Sequence, residues 1–444
     1  DHSGTSLSKL LFGVINRYDL ESKIVCITTD NASVNQKMCS EMQDLCPAFI
    51  ARNQWLGCMA HTIHLAARDG LKALSIGSPN STQNTSEDEV SRISIANLID
   101  IPDGQDIQYD SIISRISRLA GFLNQSPQRR DKFNTTVKLI YDDDKPTKAT
   151  NLLSHVCTRW NSTYDMLVRA LILKEAYNQF CSPPNMQSYQ LNALEWEKVK
   201  IIIDFLEPLY EATQIICGSK YPTISHALPL YILLIRRIEQ ACHQYDVTPI
   251  EPAAEAMCKK LTKYLKILIT KIPAICATNL DPRFKLKFFY TNEATLASLG
   301  TSATTLSIMF KEEAQKHFKQ SINPKADLTV QQHVGLFDEM YSTSAEEVSN
   351  LETEVERFFA EPPEPKSTNI LVFWNSRKSL FPTLGLMANK FLSIPATSAP
   401  SERVFSGGRK ILTYQRAALS SKHVEQLACV KSWSCTFVPL FSHE

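Results

Sequence analysis

The chain has 444 residues, 43% of them hydrophobic and 21% charged, the balance of a soluble globular protein too long for one ordinary core; two or three structural units are expected. A net charge of +1 provides no overall field for a polyanionic partner, so any nucleic-acid binding must come from local patches. The twelve cysteines are scattered singly, without a CxxC pair, which excludes a small disulfide scaffold and a zinc-finger pattern and points to a reducing compartment, cytosol or nucleus. No apolar run approaches the length of a membrane helix, and the sequence opens at Asp1 without a signal-peptide pattern, as expected of a fragment.

Leu7, Leu10, Leu11, Val14, Ile15 and Tyr18 recur at helical spacing, which predicts an amphipathic helix over 5–18. After a turn at 19–22, KIVCITTD (23–30) is a short β-branched run suited to a buried strand, with Asp30 at its carboxyl end. An acid there lies on the sheet edge where α/β proteins build sites, or else Asp30 or Asn31 caps the helix predicted over 33–44.

WLGCMAHTIHLAARDGLKAL (55–74) reads as one helix, with Cys58, His61 and His64 forming a stripe. One helix rarely supplies a closed tetrahedral metal set and no second Cys/His pair lies nearby, which favours a packed cysteine with polar histidines facing a cleft.

Residues 77–110 are polar, then acidic, and read as a surface loop and domain boundary; from 111 the pattern is helical. The basic stretches 126–133 and 145–160 end at Arg159 and Trp160. Those cations could neutralise phosphates and Trp160 could stack on an unpaired base, or Trp160 could anchor the packing of the helix it heads. Helices are predicted over 195–217 (broken by Pro208), 225–245 and 252–271, the lysines of the last reading as a solvated face. Further on come the compact ATNLDPRFKLKFF (277–289), a helix near 304–320, an acidic helix and a proline-rich linker. Two helical segments flank Pro382. In SAPSERVFSGG (398–408) Ser401 suits an N-cap, Glu402 falls in the first turn, and Gly407-Gly408 would stop the element. SSKHVEQLACVKSW supplies the terminal helix.

ITTDNASVN (27–35), GCMAHTIHL (57–65), TRWNSTYDML (158–167), ATNLDPRFK (277–285) and FWNSRKSLFPTLGLMANKFLSIPATSAPSERVFS (373–406) occur in this order, and together they resemble the hAT superfamily of DNA transposases and their host-derived relatives. The closing segment resembles the C-terminal dimerisation region of that superfamily. The resemblance implies an α/β RNase H-like core interrupted by a large all-α insertion, predominantly helical overall. It divides the chain into the first part of the core at 1–76, a loop at 77–110, the insertion at 111–365 and, at 366–444, the region that completes the core and carries the dimerisation surface.

The resemblance further implies a DDE-type site that cuts transposon-end DNA with Mg²⁺ or Mn²⁺ and forms hairpins on the flanking DNA. Asp30 matches the second catalytic Asp and Glu402 the catalytic Glu, both as metal ligands. Cys58 and His61 match a C-x2-H motif near the active site. Arg159 and Trp160 match an RW motif whose Trp stabilises a flipped base. Homodimers or higher homo-oligomers, a nuclear location, and neither a membrane nor a small-molecule cofactor are implied. The family's first Asp lies upstream of the segment that DHSGTSLSKLLF resembles; Asp1 does not match it and Asp19 sits past the helix. That Asp and the family's amino-terminal BED-type zinc finger are therefore expected to be missing, and this chain alone is not expected to cut DNA. The competing expectation is a domesticated, non-catalytic nuclear regulator that binds DNA and dimerises.

Overall fold

In the computed structural model the described residues are 3–75, 109–141, 149–154, 160–219, 221–244, 250–322, 351–412 and 419–437. They are predominantly helical. In chain order come α1 (Gly4–Arg17), β1 (Ile27–Thr29), α2 (Ser33–Leu45), a single helical turn α3 (Ala51–Gln54), β2 (Trp55–Gly57) and α4 (Met59–Ser75). Then follow α5 (Tyr109–Asn124), α6 (Pro127–Ile140), α7 (Trp160–Ile172), α8 (Lys174–Phe180), α9 (Ala193–Ile216), α10 (Ile224–Gln244) and α11 (Ile250–Leu268). The rest are α12 (Ile272–Leu280), α13 (Lys285–Thr291), α14 (Glu293–Ser298), α15 (Ala303–Ile322), α16 (Leu351–Ala360), α17 (Ile370–Arg377), α18 (Pro382–Phe391), α19 (Ala399–Ile411) and α20 (Ser421–Phe437).

The chain divides into two compact units, one of Asp1–Ala60, Ile216–Ala227 and Lys271–Glu444, the other of His61–Ile215 and Leu228–Thr270. In the first, α1 and α2 bury Ile15, Met38, Cys39, Met42, Cys46 and Phe49 in a common core, against which Leu7, Leu11, Ile24, Ile27 and Trp55 pack. These are the apolar positions at helical spacing, so hydrophobic burial sets this helix pair. Ser3 caps α1 by accepting a hydrogen bond from the Ser6 N–H.

Among the described residues the sheet has two strands. β1 and β2 run parallel, with Ile27 opposite Trp55, Thr28 opposite Leu56 and Thr29 opposite Gly57. At Ile27–Thr29 the first strand is shorter than the 23–30 expected. Gln54 explains this, because its side-chain amide donates to the carbonyls of Ile24 and Val25 and takes the place of a strand partner. The helix expected from residue 55 begins only at Met59, since Trp55–Gly57 form β2.

Farther along, ATNLDPRFK builds the centre of the first unit. Asp281 is 0% exposed and holds Arg283 through both oxygens, Oδ1 to Nε at 2.9 Å and Oδ2 to Nη2 at 2.7 Å, while Oδ1 also accepts the Arg283 N–H at 3.1 Å. Arg283 in turn donates to His226 Nε2 at 3.0 Å. Lys285 is buried with a left-handed φ of 51°, and its Nζ donates to the carbonyls of Phe358 (2.7 Å) and Glu361 (3.1 Å). That cation satisfies the end of α16 and sits over the Phe358 ring. Glu354 of α16 accepts the Leu384 N–H at 2.8 Å, so one helix caps the amino end of another, α18.

Among the described residues, every secondary-structure element of the second unit is a helix. Asn192 and Glu195 exchange backbone-to-side-chain bonds at the start of α9, a reciprocal cap, and Glu195 pairs with Arg115 of α5. The sequence pattern places a break at Pro208, yet α9 runs through it. Phe205, Leu206, Leu209 and Ala212 are all buried on either side of it, and burial of that order outweighs the ~3 kcal/mol a helical proline costs.

The carboxyl-terminal elements depart from expectation in two places. The N-cap of α19 is Ser398 rather than Ser401, and the helix passes through Gly407-Gly408 to Ile411. Glycine weakens a helix by only ~1 kcal/mol relative to alanine, too little to end α19 on its own.

Because Asp281 neutralises an arginine in a dry setting, Asp281→Ala leaves that cation unpaired. Urea unfolding of this variant is expected to show a loss of about 3–5 kcal/mol, against a small loss for exposed substitutions on α15.

Candidate DNA-processing site

Asp30 follows β1 directly. Its Oδ1 accepts the Ala32 N–H at 3.0 Å and the Asn35 side-chain amide at 2.6 Å, which ties the carboxylate to the start of α2. The capping alternative is thus partly realised, although the N-cap position itself is Ala32. Gly57 lies opposite Thr29, and a Cβ there would stand 2.0 Å from Asn31 Oδ1, so any larger residue would have to push the Asn31 side chain aside.

The segment 395–398 crosses the ends of both strands. Thr28 Oγ1 donates to the Pro395 carbonyl at 2.8 Å, and the Met59 N–H donates to the Ala396 carbonyl at 3.0 Å. The Ala396 N–H donates to Thr223 Oγ1 at 3.0 Å. Cys58, 2% exposed, donates its own N–H to the Thr29 carbonyl at 2.6 Å. Its sulfur accepts the Ser398 N–H at 3.3 Å and lies 3.3 Å from Ser398 Oγ, which donates to Glu402 Oε1 at 2.9 Å. A hydroxyl has one proton, so with Ser398 donating to Glu402 the Cys58 thiol is the donor to Ser398 Oγ. A bonded path therefore runs from the residue before Asp30, through Cys58 and Ser398, to Glu402. Ser398 opens SAPSER, but its part in this path has no signal in the sequence; only the placement of Cys58 reveals it.

Glu402 is exposed in the first turn of α19, and its neighbour Arg403 donates to the Cys217 carbonyl at 3.0 Å. Cys217 lies close to Cys58, and its thiol pKa is raised, first by burial and then by Cys58.

His61 and His64 belong to the second unit, with ring centroids 6.2 Å apart. Burial, then the nearby His61 and Arg68, push His64 down to about 4. Among the described residues no three His, Cys, Asp or Glu side chains gather into a cation site. Asp30 and Glu402, each with an oxygen already accepting hydrogen bonds, are two carboxylates where a two-ion phosphoryl-transfer site uses more, so the donors present do not make up that site. Trp160 is 2% exposed at the head of α7, the packing-anchor arrangement; stacking on a base would require it to leave that core. Arg159 lies outside the described residues.

The model of the hAT family C-terminal dimerisation region matches residues 354–434, and that of the ZBED1 RNase-like helical domain matches residues 96–205. The chain is 27% identical over 96% of its length to the "Putative transcriptional regulator tpeD" of Talaromyces stipitatus, covering 48% of that protein. It is 24% identical over 97% of its length to the "Putative AC transposase" of Zea mays, covering 51% of it. Over 72% of its length it is 25% identical to the "Zinc finger BED domain-containing protein RICESLEEPER 2" of Oryza sativa subsp. japonica, covering 47% of that protein. The chain thus spans about half the length of these relatives. Among the described residues no helix is long and apolar enough to cross a membrane.

The depressed His64 pKa fixes a pH dependence. The unfolded imidazole takes up a proton near its ordinary pKa of about 6.5 while the folded one does not until about 4, so stability is full above this window and falls as the pH drops through it. Unfolding at about pH 5 is expected to need up to ~2 kcal/mol less than at about pH 7.5, and His64→Gln should remove most of that difference.

The two matching family models, the ordered motifs and the relatives agree: the chain carries the C-terminal dimerisation region of the hAT family and is similar, over most of its length, to proteins named as transposases and transposase-like regulators.

Proposed function

We propose that this chain is about half of a hAT-type transposase, in which Asp30 and Glu402 are two of the three carboxylates of a DDE-type, RNase H-like core that cuts transposon-end DNA. The bonded path from Thr29 through Cys58 and Ser398 to Glu402 carries the reading, because it ties a strand-end acid to a helix-start acid from the far end of the sequence. A core of this kind uses Mg²⁺ or Mn²⁺ to stabilise charge on the attacking and leaving oxygens of the phosphodiester. A third carboxylate would come from a further strand paired on the open edge of β1, beside a groove lined by Leu11, Ile15, Leu20, Ile24 and Ile394. Trp160 and Arg159 would act on the flanking DNA, and His61 beside the reacting strand. The protein would work in the nucleus.

Two carboxylates hold a divalent ion weakly, so the 444-residue chain alone should leave supercoiled plasmid intact in Mg²⁺ or Mn²⁺. Metal-dependent nicking that disappears in Asp30→Ala would overturn the shortfall. A second reading, a non-catalytic nuclear regulator that keeps DNA binding and dimerisation, is favoured by the similarity to the "Putative transcriptional regulator tpeD". A strand upstream of this chain that ends in an acid would favour the enzyme.

Self-association is assigned to α19 and α20, within the matched dimerisation region. Phe405 is 78% exposed, and Val404, Leu412, Leu427 and Val430 are exposed on the same two elements or at their ends, more apolar surface than a solvated helix pair needs. Light scattering across a concentration series is expected to give a dimer mass or higher. Phe405→Glu should weaken the assembly by about tenfold or more, the cost of a carboxylate in an apolar contact. A sharp monomer mass at every concentration would exclude this surface.

A further inference from the structure

The second unit contains a charged surface that the proposed chemistry leaves unused. On α4 the buried positions include Ile63, Ala66, Ala67, Gly70 and Leu74, which leaves Arg68 and Lys72 on the opposite side. On α11 the buried positions are Ile250, Ala253, Ala254, Met257, Leu261 and Leu265, which leaves Lys259, Lys263 and Lys266 exposed at i, i+4 and i+7. Taken singly, each helix has an ordinary solvated face.

Packing joins them. A Cβ on Gly70 would lie 2.1 Å from the Met257 Cε, so the two helices meet where α4 has no side chain. Beside that contact Lys260 Nζ lies 3.0 Å from Asp69 Oδ2, and this pair neutralises the acid on the shared flank. The acids of α11, Glu251 and Glu255, come before all four of its lysines. The outcome is one surface with Arg68 and Lys72 on one ridge and Lys259, Lys263 and Lys266 on the next, in a chain whose net charge is only +1. A face that is merely solvated has no need to segregate sign in this way; α16, for comparison, sets the exposed Arg357 beside the exposed Glu352 and Glu356.

We infer that this two-helix face binds the phosphate backbone of duplex DNA. From Lys259 to Lys266 the helix rises ~10 Å, about three nucleotide steps along one strand, and the α4 cations broaden the track to its side. Such contacts position DNA without reading bases, and they add affinity by releasing condensed counterions. The inference rests on the DNA-binding part of the proposed function and gives it a location distinct from Asp30 and Glu402.

The test is fluorescence anisotropy of the full chain on two unrelated duplexes of about 30 base pairs over a salt series. Lys72, Lys259, Lys263 and Lys266 are changed together to Gln, with Lys260 kept because it holds Asp69. A charge-matched control changes Lys287, Lys311, Lys366 and Lys378, all exposed in the first unit, to Gln. Circular dichroism and urea midpoints should show both variants folded. The face variant is expected to lose about tenfold or more in affinity on both duplexes, and its log K versus log salt slope should shrink by ~0.9 for each phosphate no longer neutralised, while the control keeps the original slope. Duplex binding unchanged in the face variant, or weakened equally in the control, would overturn the inference and leave DNA binding elsewhere on the chain. If the unmodified chain binds neither duplex at low salt, the DNA-binding reading fails with it.

Discussion

The first unit depends on how residues 395–398 are held. Pro395, Ala396 and Ser398 are fixed by Thr28, Met59, Thr223 and Cys58, which come from three segments far apart in sequence. Each bond alone contributes ~1 kcal/mol, but together they leave the segment one course across the ends of β1 and β2. Everything downstream inherits that course. α19 starts at Ser398, so Glu402 lies one turn on from a hydroxyl that is itself held by the buried Cys58.

This arrangement assigns Cys58 a structural task as well as its place in a C-x2-H motif. Its N–H closes the strand pairing at Thr29, and its sulfur receives the start of the helix that carries Glu402. The thiol is small and apolar enough to be buried yet still pairs with an N–H and a hydroxyl, a combination that valine or serine would each satisfy only in part. The histidines after it belong to another unit and another environment, where burial keeps His64 neutral. Cys58 lies just before α4 and the two histidines lie on it. Their spacing produces no metal site among the described residues.

Charge is used differently in the two units. In the first, Asp281, Arg283, Lys285, Glu354 and Glu361 are turned inward, onto the ends of helices and onto one another. Such groups fix helix ends and register more than they stabilise, because desolvation offsets much of their attraction. In the second, Lys259, Lys263 and Lys266 of α11 are exposed, and Lys260 between them pairs with Asp69. A net charge near zero is therefore compatible with a locally strong field.

By itself the sequence determined the local features that depend on spacing: the amphipathic helices, the β-branched run ending in Asp30, the helix-start acid Glu402 and the order of motifs that marks the family. Tertiary structure decided what local pattern cannot encode. Pro208 and Gly407-Gly408 read as breaks, but burial around Pro208 holds α9 together and α19 runs on through its glycines to Ile411. Residues 23–26 read as strand, but the Gln54 side chain claims the backbone a strand partner would have used. Ser398 became part of the site, and two ordinary lysine and arginine stripes became one face, only when residues distant in sequence met. The reason is the same in each case. Periodicity reports which face of an element is buried, whereas the partner on that face is set by packing between segments, which no single stretch of sequence contains.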